Sequence, residues 1–348
     1  MNPVAPSRTL EREAFYAELA PRNMAPLWEV LRALITPEPV TPCVPVLWRY
    51  DDVRPFLMRS GELITAREAE RRVLILENPA LKGKASVTHT LYAGLQLILP
   101  GEVAPAHRHS QSALRFVLEG NGAYTSVDGE RTAMSPGDFV ITPAMTWHDH
   151  SNETKEPMFW LDGLDIPMVQ LLDASFAQGF GEDQQKITKP AGDSFARYGH
   201  NLLPVDETRK SKTSPIFNYP YSYTREALET AKLRDEWDAC HGLKLKFSNP
   251  ETGDFAMPTI GTFIQLLPKG FKTARYRSTD ATVFAAIEGK GRTRIGEQTF
   301  EWGPRDLFVV PSWHWVTHEA DADSVLFSFS DRPVQQKLDL FREDRGNA

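Results

Sequence analysis

Gly101-Glu102-Val103-Ala104-Pro105-Ala106-His107-Arg108-His109 and Gly137-Asp138-Phe139-Val140-Ile141-Thr142-Pro143-Ala144-Met145-Thr146-Trp147-His148-Asp149-His150-Ser151-Asn152 are the stretches on which the reading of this chain turns. Residues two apart on a strand project from the same face, so His107 and His109 point together at one atom. His148, on a neighbouring strand, completes a facial set of imidazoles. An HxH pair alone also fits a hydrogen-bonded pair on a sheet surface, so the spacing by itself leaves metal binding open.

Outward from these stretches the chain alternates short apolar runs with Gly and Pro turns. Val44–Arg49, Val73–Leu76, Leu91–Leu99, Ala113–Leu118, Gly122–Val127, Phe139–Ile141 and Met158–Leu161 read as strands. A second group follows at Thr259–Leu267, Val283–Ile287, Gly291–Ile295, Leu307–Val310 and Val325–Phe329. Many short strands with Gly-containing turns predict a mainly β sandwich or barrel. Helical spacing is confined to Glu11–Leu19, Pro26–Ile35 and Thr224–Trp237.

The two β-rich regions repeat one another. Glu119-Gly120-Asn121-Gly122 answers to Glu288-Gly289-Lys290-Gly291, and Gly137–Pro143 answers to Arg305–Pro311, with Trp and His following the proline both times. The expected division is a helical and extended segment over 1–65, a first barrel over 66–180, a connector with a helix over 181–245 and a second barrel over 246–348. Opposite His107, His109 and His148 the second region carries Tyr276, Ser278 and Val316, or Arg275 and Arg277 in a register one residue shorter. It is therefore expected to be metal-free, with His314 and His318 structural.

The 348 residues carry 39 Lys plus Arg against 46 Asp plus Glu, a net charge of -7. That acidic balance speaks against broad nucleic-acid binding. No apolar run approaches the length of a membrane span, and MNPVAPSRTLERE lacks a signal peptide's apolar core. A cytoplasmic enzyme without membrane association is expected. Cys43 and Cys240, in no CxxC pattern, are expected to be separate buried thiols.

A glycine, five residues and HxH, then Gly137, Pro143, His148 and Asn152 at their spacings, resemble the two motifs of the cupin family. The resemblance implies a bicupin, two double-stranded β-helix (jelly-roll) barrels. Two departures stand out. Met145 occupies the second motif's usual glycine position, and Ala113 and Leu114 stand where cupins place a glutamate ligand. Three neutral imidazoles leave a divalent ion about +2, which favours an anionic chelating substrate. Open positions remain for substrate and dioxygen. Fe(II) suits this, because it passes electrons to oxygen where zinc cannot.

The stretches His107–Phe116, His89–Gln96 and Val309–Trp315 resemble in particular the gentisate and salicylate 1,2-dioxygenases, three-histidine Fe(II) enzymes. That resemblance implies cleavage of a 2-hydroxybenzoate between its carboxyl-bearing and hydroxyl-bearing carbons, gentisate giving maleylpyruvate, in a homotetramer. Salicylate or a nitro-, chloro- or amino-substituted salicylate is the alternative within the class. A non-redox metal-binding bicupin, or a cupin isomerase, is the alternative outside it.

The metal ligands expected are His107, His109 and His148. Arg115, placed six residues after His109 on the same face if the strand continues, is expected to hold the substrate carboxylate. Gln96, between Leu95 and Leu97, is a lone amide that needs a partner, and the resemblance makes that partner substrate or oxygen. Gly94 and Tyr92 share its parity; Gly94 leaves room for the ring, and Tyr92 is either a ring contact or a core aromatic. By resemblance His150 moves protons beside the substrate hydroxyl, and Arg71 reaches the site from outside the barrel. Asp162 is expected to orient His150 or another polar group, or else to serve as a turn residue before Gly163.

Overall fold

The computed structural model describes residues 6–206 and 211–346. The chain divides into two bodies, Met1–Val40 and Thr41–Ala348. In the first, helices Pro6–Leu19 and Leu27–Leu34 are joined by side chains. The Tyr16 hydroxyl donates to Glu29 (2.6 Å) and accepts from the Trp28 indole (2.8 Å). Leu27, Trp28, Leu31, Leu34 and Ile35 are all exposed.

The second body is built on two antiparallel six-stranded sheets. One runs Asn218–Tyr219, Phe139–Thr142, Ala113–Glu119, Met158–Leu164, Tyr92–Ile98, Val73–Ile75. The other runs Val46–Trp48, Leu307–Val310, Thr282–Glu288, Ser324–Ser330, Gly261–Leu267, Leu243–Lys246. The two outer additions come from outside the barrels: a strand near the amino terminus edges the second barrel, and a connector strand edges the first. Each barrel is completed by a smaller sheet. In the first it contains Val103–His109, His148–Ser151, Tyr124–Val127 and Glu130–Ala133; in the second, Gly291–Ile295, Gln298–Trp302 and Val316–Ala320.

Strand alternation sorts side chains between two environments. Leu95, Leu97, Leu114 and Phe116 of one sheet share a core with Ile264, Leu266, Val283 and Phe327 of the other, and Phe116 stacks on Phe327 at 4.1 Å. Each such side chain contributes about 1.5–3 kcal/mol by leaving water, so this shared core binds the barrels together. The opposite parity, Gln96 and Arg115 among it, faces the first barrel's interior. The apolar runs named from the sequence all become strands, but Glu130–Ala133, Leu243–Lys246, Gln298–Trp302 and Val316–Ala320 are strands that no such run marks.

Three expectations change. Tyr50–Leu63 is a helix, although Pro55 and Gly61 within it break the helical pattern. The connector helix spans Tyr221–Lys232, starting three residues before the Thr224 expected and ending before Trp237. The strand through His109 does not continue to Arg115: it ends at His109, and a new strand starts at Ala113. Arg115 reaches the interior from that second strand, so counting residues from His109 has no geometric meaning.

The second motif's Gly137 is required twice over. Its φ is +86°, and a Cβ there would lie 2.5 Å from the Tyr221 ring of the connector helix. Met145, at the motif's usual glycine, keeps the left-handed backbone (φ +61°), and its N–H donates to the His109 carbonyl at 2.7 Å. Trp313 repeats that conformation (φ +60°), donating to Ser278 at 2.7 Å. Cys43 and Cys240 are both free and buried.

Candidate active site

The register pairs His107 with His148 across adjacent strands, and His109 leaves the same face two residues on. One ligand nitrogen from each of the three lies within 4.8 Å of the others. The backbone chooses which nitrogen is free. A carbonyl can only accept, so the Nδ1 bonds of His109 to Gln111 O (2.9 Å) and of His148 to Thr146 O (3.0 Å) place their protons on Nδ1. Each Nε2 then keeps its lone pair, and that of His148 is buried with no partner. Burial first, then Arg71, presses His107 to about 2. Burial likewise lowers His109 to about 4 and carries His148 well below the usual range. Three neutral imidazoles with converging lone pairs fit a divalent transition metal.

Two arginines enter the same space. Arg71 donates to the carbonyls of Glu70 (2.7 Å) and Pro105 (3.1 Å), which leaves Nη2 3.3 Å from His107 Nε2. Despite lying in a charged run, it therefore turns inward, and burial lowers it to about 9. Arg115 is 3% exposed, donates to Thr142 Oγ1 at 2.6 Å and has its Nε 3.7 Å from Asp162 Oδ1. Asp162 accepts from the Trp160 indole at 2.9 Å, and burial lifts its carboxyl to about 6 against the pull of Arg115. A lone buried guanidinium is costly, and this carboxylate offsets it. Asp162 thus sits with Arg115 and Trp160, whereas His150 is held by Thr125, whose Oγ1 lies 2.9 Å from Nδ1.

His150 is fully buried, with Nε2 unpartnered, its ring 5.8 Å from that of His148. Gln96 is 2% exposed, and its amide has no hydrogen bond among the described residues. Buried amides are almost always paired, so an unpaired one facing a metal-binding cluster points to a bound molecule. Gly94 lies opposite Asp162 in the register, and a Cβ there would come within 2.4 Å of Val73 Cγ1 and 2.8 Å of the Tyr92 hydroxyl. Tyr92 is 8% exposed, and burial then the Asp162 charge raise its hydroxyl. The three histidines, His150, Gln96, Gly94, Tyr92, Arg115, Arg71 and Asp162 thus line or adjoin one interior.

Sequence reading missed Thr125, Thr142 and Trp160, which hold His150, Arg115 and Asp162. One signal was available for the first: Thr293 and His318 repeat Thr125 and His150, and their side chains pair again at 2.8 Å. The second barrel places Tyr276 opposite Val316, where the first has His107 opposite His148. Among the described residues the only group of three metal-ligating side chains is His107, His109 and His148.

The cupin domain model matches residues 94–164, which contain every one of these groups except Arg71 and Tyr92. The chain is 63% identical to gentisate 1,2-dioxygenase 1 of Aquipseudomonas alcaligenes over 98% of both chains. It is 39% identical to 5-aminosalicylate 1,2-dioxygenase of a Comamonas species, over 95% of this chain and 89% of that one. Its fold superposes on the salicylate 1,2-dioxygenase of Pseudoaminobacter salicylatoxidans, a single-substitution mutant in complex with gentisate, with a TM-score of 0.93, 35% identity and coverage of 100% and 98%. By full-length similarity and by architecture, this chain belongs to the gentisate and salicylate 1,2-dioxygenase family of bicupin ring-cleaving dioxygenases.

Proposed function

We propose that the chain opens gentisate (2,5-dihydroxybenzoate) between its carboxyl-bearing and adjacent hydroxyl-bearing carbons to give maleylpyruvate, with Fe(II) held by His107, His109 and His148. When bound there, ferrous iron supplies a redox-active centre at which a chelating hydroxy acid and dioxygen meet. The observation that carries the reading is the convergence of three neutral imidazoles, two guanidinium groups and an unpartnered Gln96 amide on one interior.

Each residue has work matched to its surroundings. Arg115, fixed by Thr142 and Asp162, presents its remaining N–H groups to the substrate carboxylate, and Arg71 closes on the same charge from the His107 side. With no carboxylate among the ligands, the site stays cationic and selects an anion. Gly94 leaves room for the ring, Tyr92 bounds it, and the Gln96 amide hydrogen-bonds to the bound molecule. Thr125 gives its own proton to Met134 Sδ (3.3 Å) and so accepts from His150 Nδ1–H, which fixes the ring and leaves Nε2 free to take the proton that the ortho-hydroxyl gives up. Burial excludes water that would compete for that proton.

The 39% identity to a 5-aminosalicylate dioxygenase favours substituted salicylates as the second reading. Gentisate's second hydroxyl donates electrons to the ring, whereas poorer rings need more help from the pocket. Oxygen uptake by iron-loaded protein separates the two. At least tenfold greater kcat/KM for gentisate than for 5-amino-, 5-nitro- or 5-chlorosalicylate is expected, and the reverse order reassigns the substrate. The reading also carries a homotetramer, the exposed apolar residues of the N-terminal helices favouring association of copies. Light scattering that returned a monomer would remove that part.

A further inference from the structure

The second barrel keeps the first barrel's polar frame but not its metal ligands. Gln265 stands where Gln96 does, and Thr293 with His318 repeats Thr125 with His150. The charges have moved. Phe284 replaces Arg115, each facing the next strand at Ser328 or Asp162. Lys244 replaces Val73, each paired in register with the glutamine. An interior built around a metal and a guanidinium has become one built around an ammonium.

Among the described residues that ammonium has no carboxylate in direct contact, Asp280 and Asp238 acting on it only from a distance. Lys244 is partly buried, lies 4.7 Å from the Phe263 ring centroid and 5.8 Å from that of Phe284, and makes no hydrogen bond or ion pair among the described residues. The carboxylates around it are engaged elsewhere. Asp280 is taken by Arg332 through Nε (3.1 Å) and Nη2 (3.3 Å), and Asp238 by Arg345 (2.6 Å). His241 and His318 face the same space, both lowered by burial to about 3 and hence neutral. Of the charged side chains that line the chamber, Arg332 is paired with Asp280 and Arg277 with Asp344, so a protonated Lys244 is the charge that no carboxylate matches directly.

A neutral donor stands ready beside it. The Trp302 indole donates to Thr293 Oγ1 at 2.9 Å, and among the described residues His318 Nδ1, at 2.8 Å, is the acceptor in reach of that hydroxyl's own proton. An imidazole that accepts at Nδ1 carries its proton on Nε2. Lys244, His318, Tyr276 and Arg332 all line a cavity of ≈ 20 Å³. A water needs about 10–15 Å³ of such space, so the chamber takes one water-sized occupant and excludes an aromatic acid.

We propose that the second barrel holds a single small monovalent anion, a halide in size, against Lys244 Nζ and His318 Nε2–H. The anion matches that charge and gives the ammonium a partner of opposite sign. Without it, burial and the Arg332 charge bring Lys244 down to about 7, so the bound anion also keeps the lysine protonated. The site is independent of the ring-cleavage reading.

Sodium bromide is the test ligand. Protein exchanged into gluconate is melted while bromide or chloride replaces gluconate at constant ionic strength, and crystals grown in bromide are measured at the bromine absorption edge. A saturable rise in melting temperature of a few degrees is expected, together with an anomalous peak touching Lys244 Nζ. Both should vanish in Lys244→Met, while oxygen uptake on gentisate stays as in the wild type. A halide-independent melting curve, bromide only on surface residues, or a peak that persists in Lys244→Met overturns the proposal. Should that variant fail to fold, the wild-type anomalous map still decides.

Discussion

At Gly94 there is little tolerance for change, because its missing side chain is what lets Val73 and Tyr92 close around the cavity. Gly94→Ala places a methyl 2.4 Å from Val73 Cγ1, so one of the two must move. Overpacking of that kind costs about 1–3 kcal/mol. Chemical denaturation should show that loss together with a lower kcat/KM, and Val73→Ala added to Gly94→Ala should recover most of the stability. His107 answers to a different measurement. A bound metal contributes several kcal/mol to such chemistry, and each 1.36 kcal/mol is tenfold in rate. His107→Ala should therefore lower oxygen uptake by about three powers of ten, with iron content falling in parallel by elemental analysis. Full activity in that variant would remove His107 from the metal site. At this scale the sequence was most informative where strand parity applied. HxH, Gln96 between two leucines, and Gly94 two residues before it all follow from a period of two. Asp162, by contrast, has Arg115 and Trp160 as partners, which no local pattern states.

Paired strands and the contacts they repeat are the next level of organisation. The Thr–His pair occurs in both barrels, 2.9 Å in the first and 2.8 Å in the second, but only the first stands beside the three metal-ligating histidines. Thr125→Val should leave His150 free to turn and lower kcat by about 10–100-fold, the usual effect of removing a group that orients a site residue. Thr293→Val should leave turnover unchanged. Equal losses in the two variants would mean that the threonines act on folding alone, and steady-state kinetics beside melting curves separates the cases. Most of the strands were legible because short β-branched and aromatic runs lie between glycine turns. Tyr50–Leu63 was not, since its proline and glycine look like strand punctuation while tertiary packing of the buried Tyr50 and Leu57 holds the helix. Arg115 illustrates the opposite error: its placement was inferred from a continuous strand, yet it arrives on a separate one.

Across the whole molecule the barrels are joined by polar contacts as well as by the shared core. Asp331 accepts from the Ala281 N–H (3.0 Å), from Gln335 (3.1 Å) and, across to the first barrel, from the Thr90 hydroxyl (3.0 Å). Burial, reinforced by Asp280, lifts its carboxyl to about 6. Below the unfolded value near 4 both states hold this proton, and there is no difference. Between about 4 and about 6 the folded state holds more protons than the unfolded one, so stability falls as pH rises through that window. The size is on the order of 1.4 kcal/mol per pKa unit. Denaturation at pH 4 and pH 7 should show a smaller decline for Asp331→Asn than for the wild type, and identical pH profiles would remove the assignment. This joint was invisible in the sequence, because it links residues 241 positions apart. The same is true of the borrowed edges: Val46–Trp48 closes the barrel furthest from it in the chain, and Asn218–Tyr219 closes the one the chain has already left. Duplicating a gene copies a jelly roll entire, yet here neither copy can be excised whole. A cut within the connector would release two half-molecules, the one without Val46–Trp48 baring a row of unsatisfied amides along its rim, ready to pair with any strand that passes.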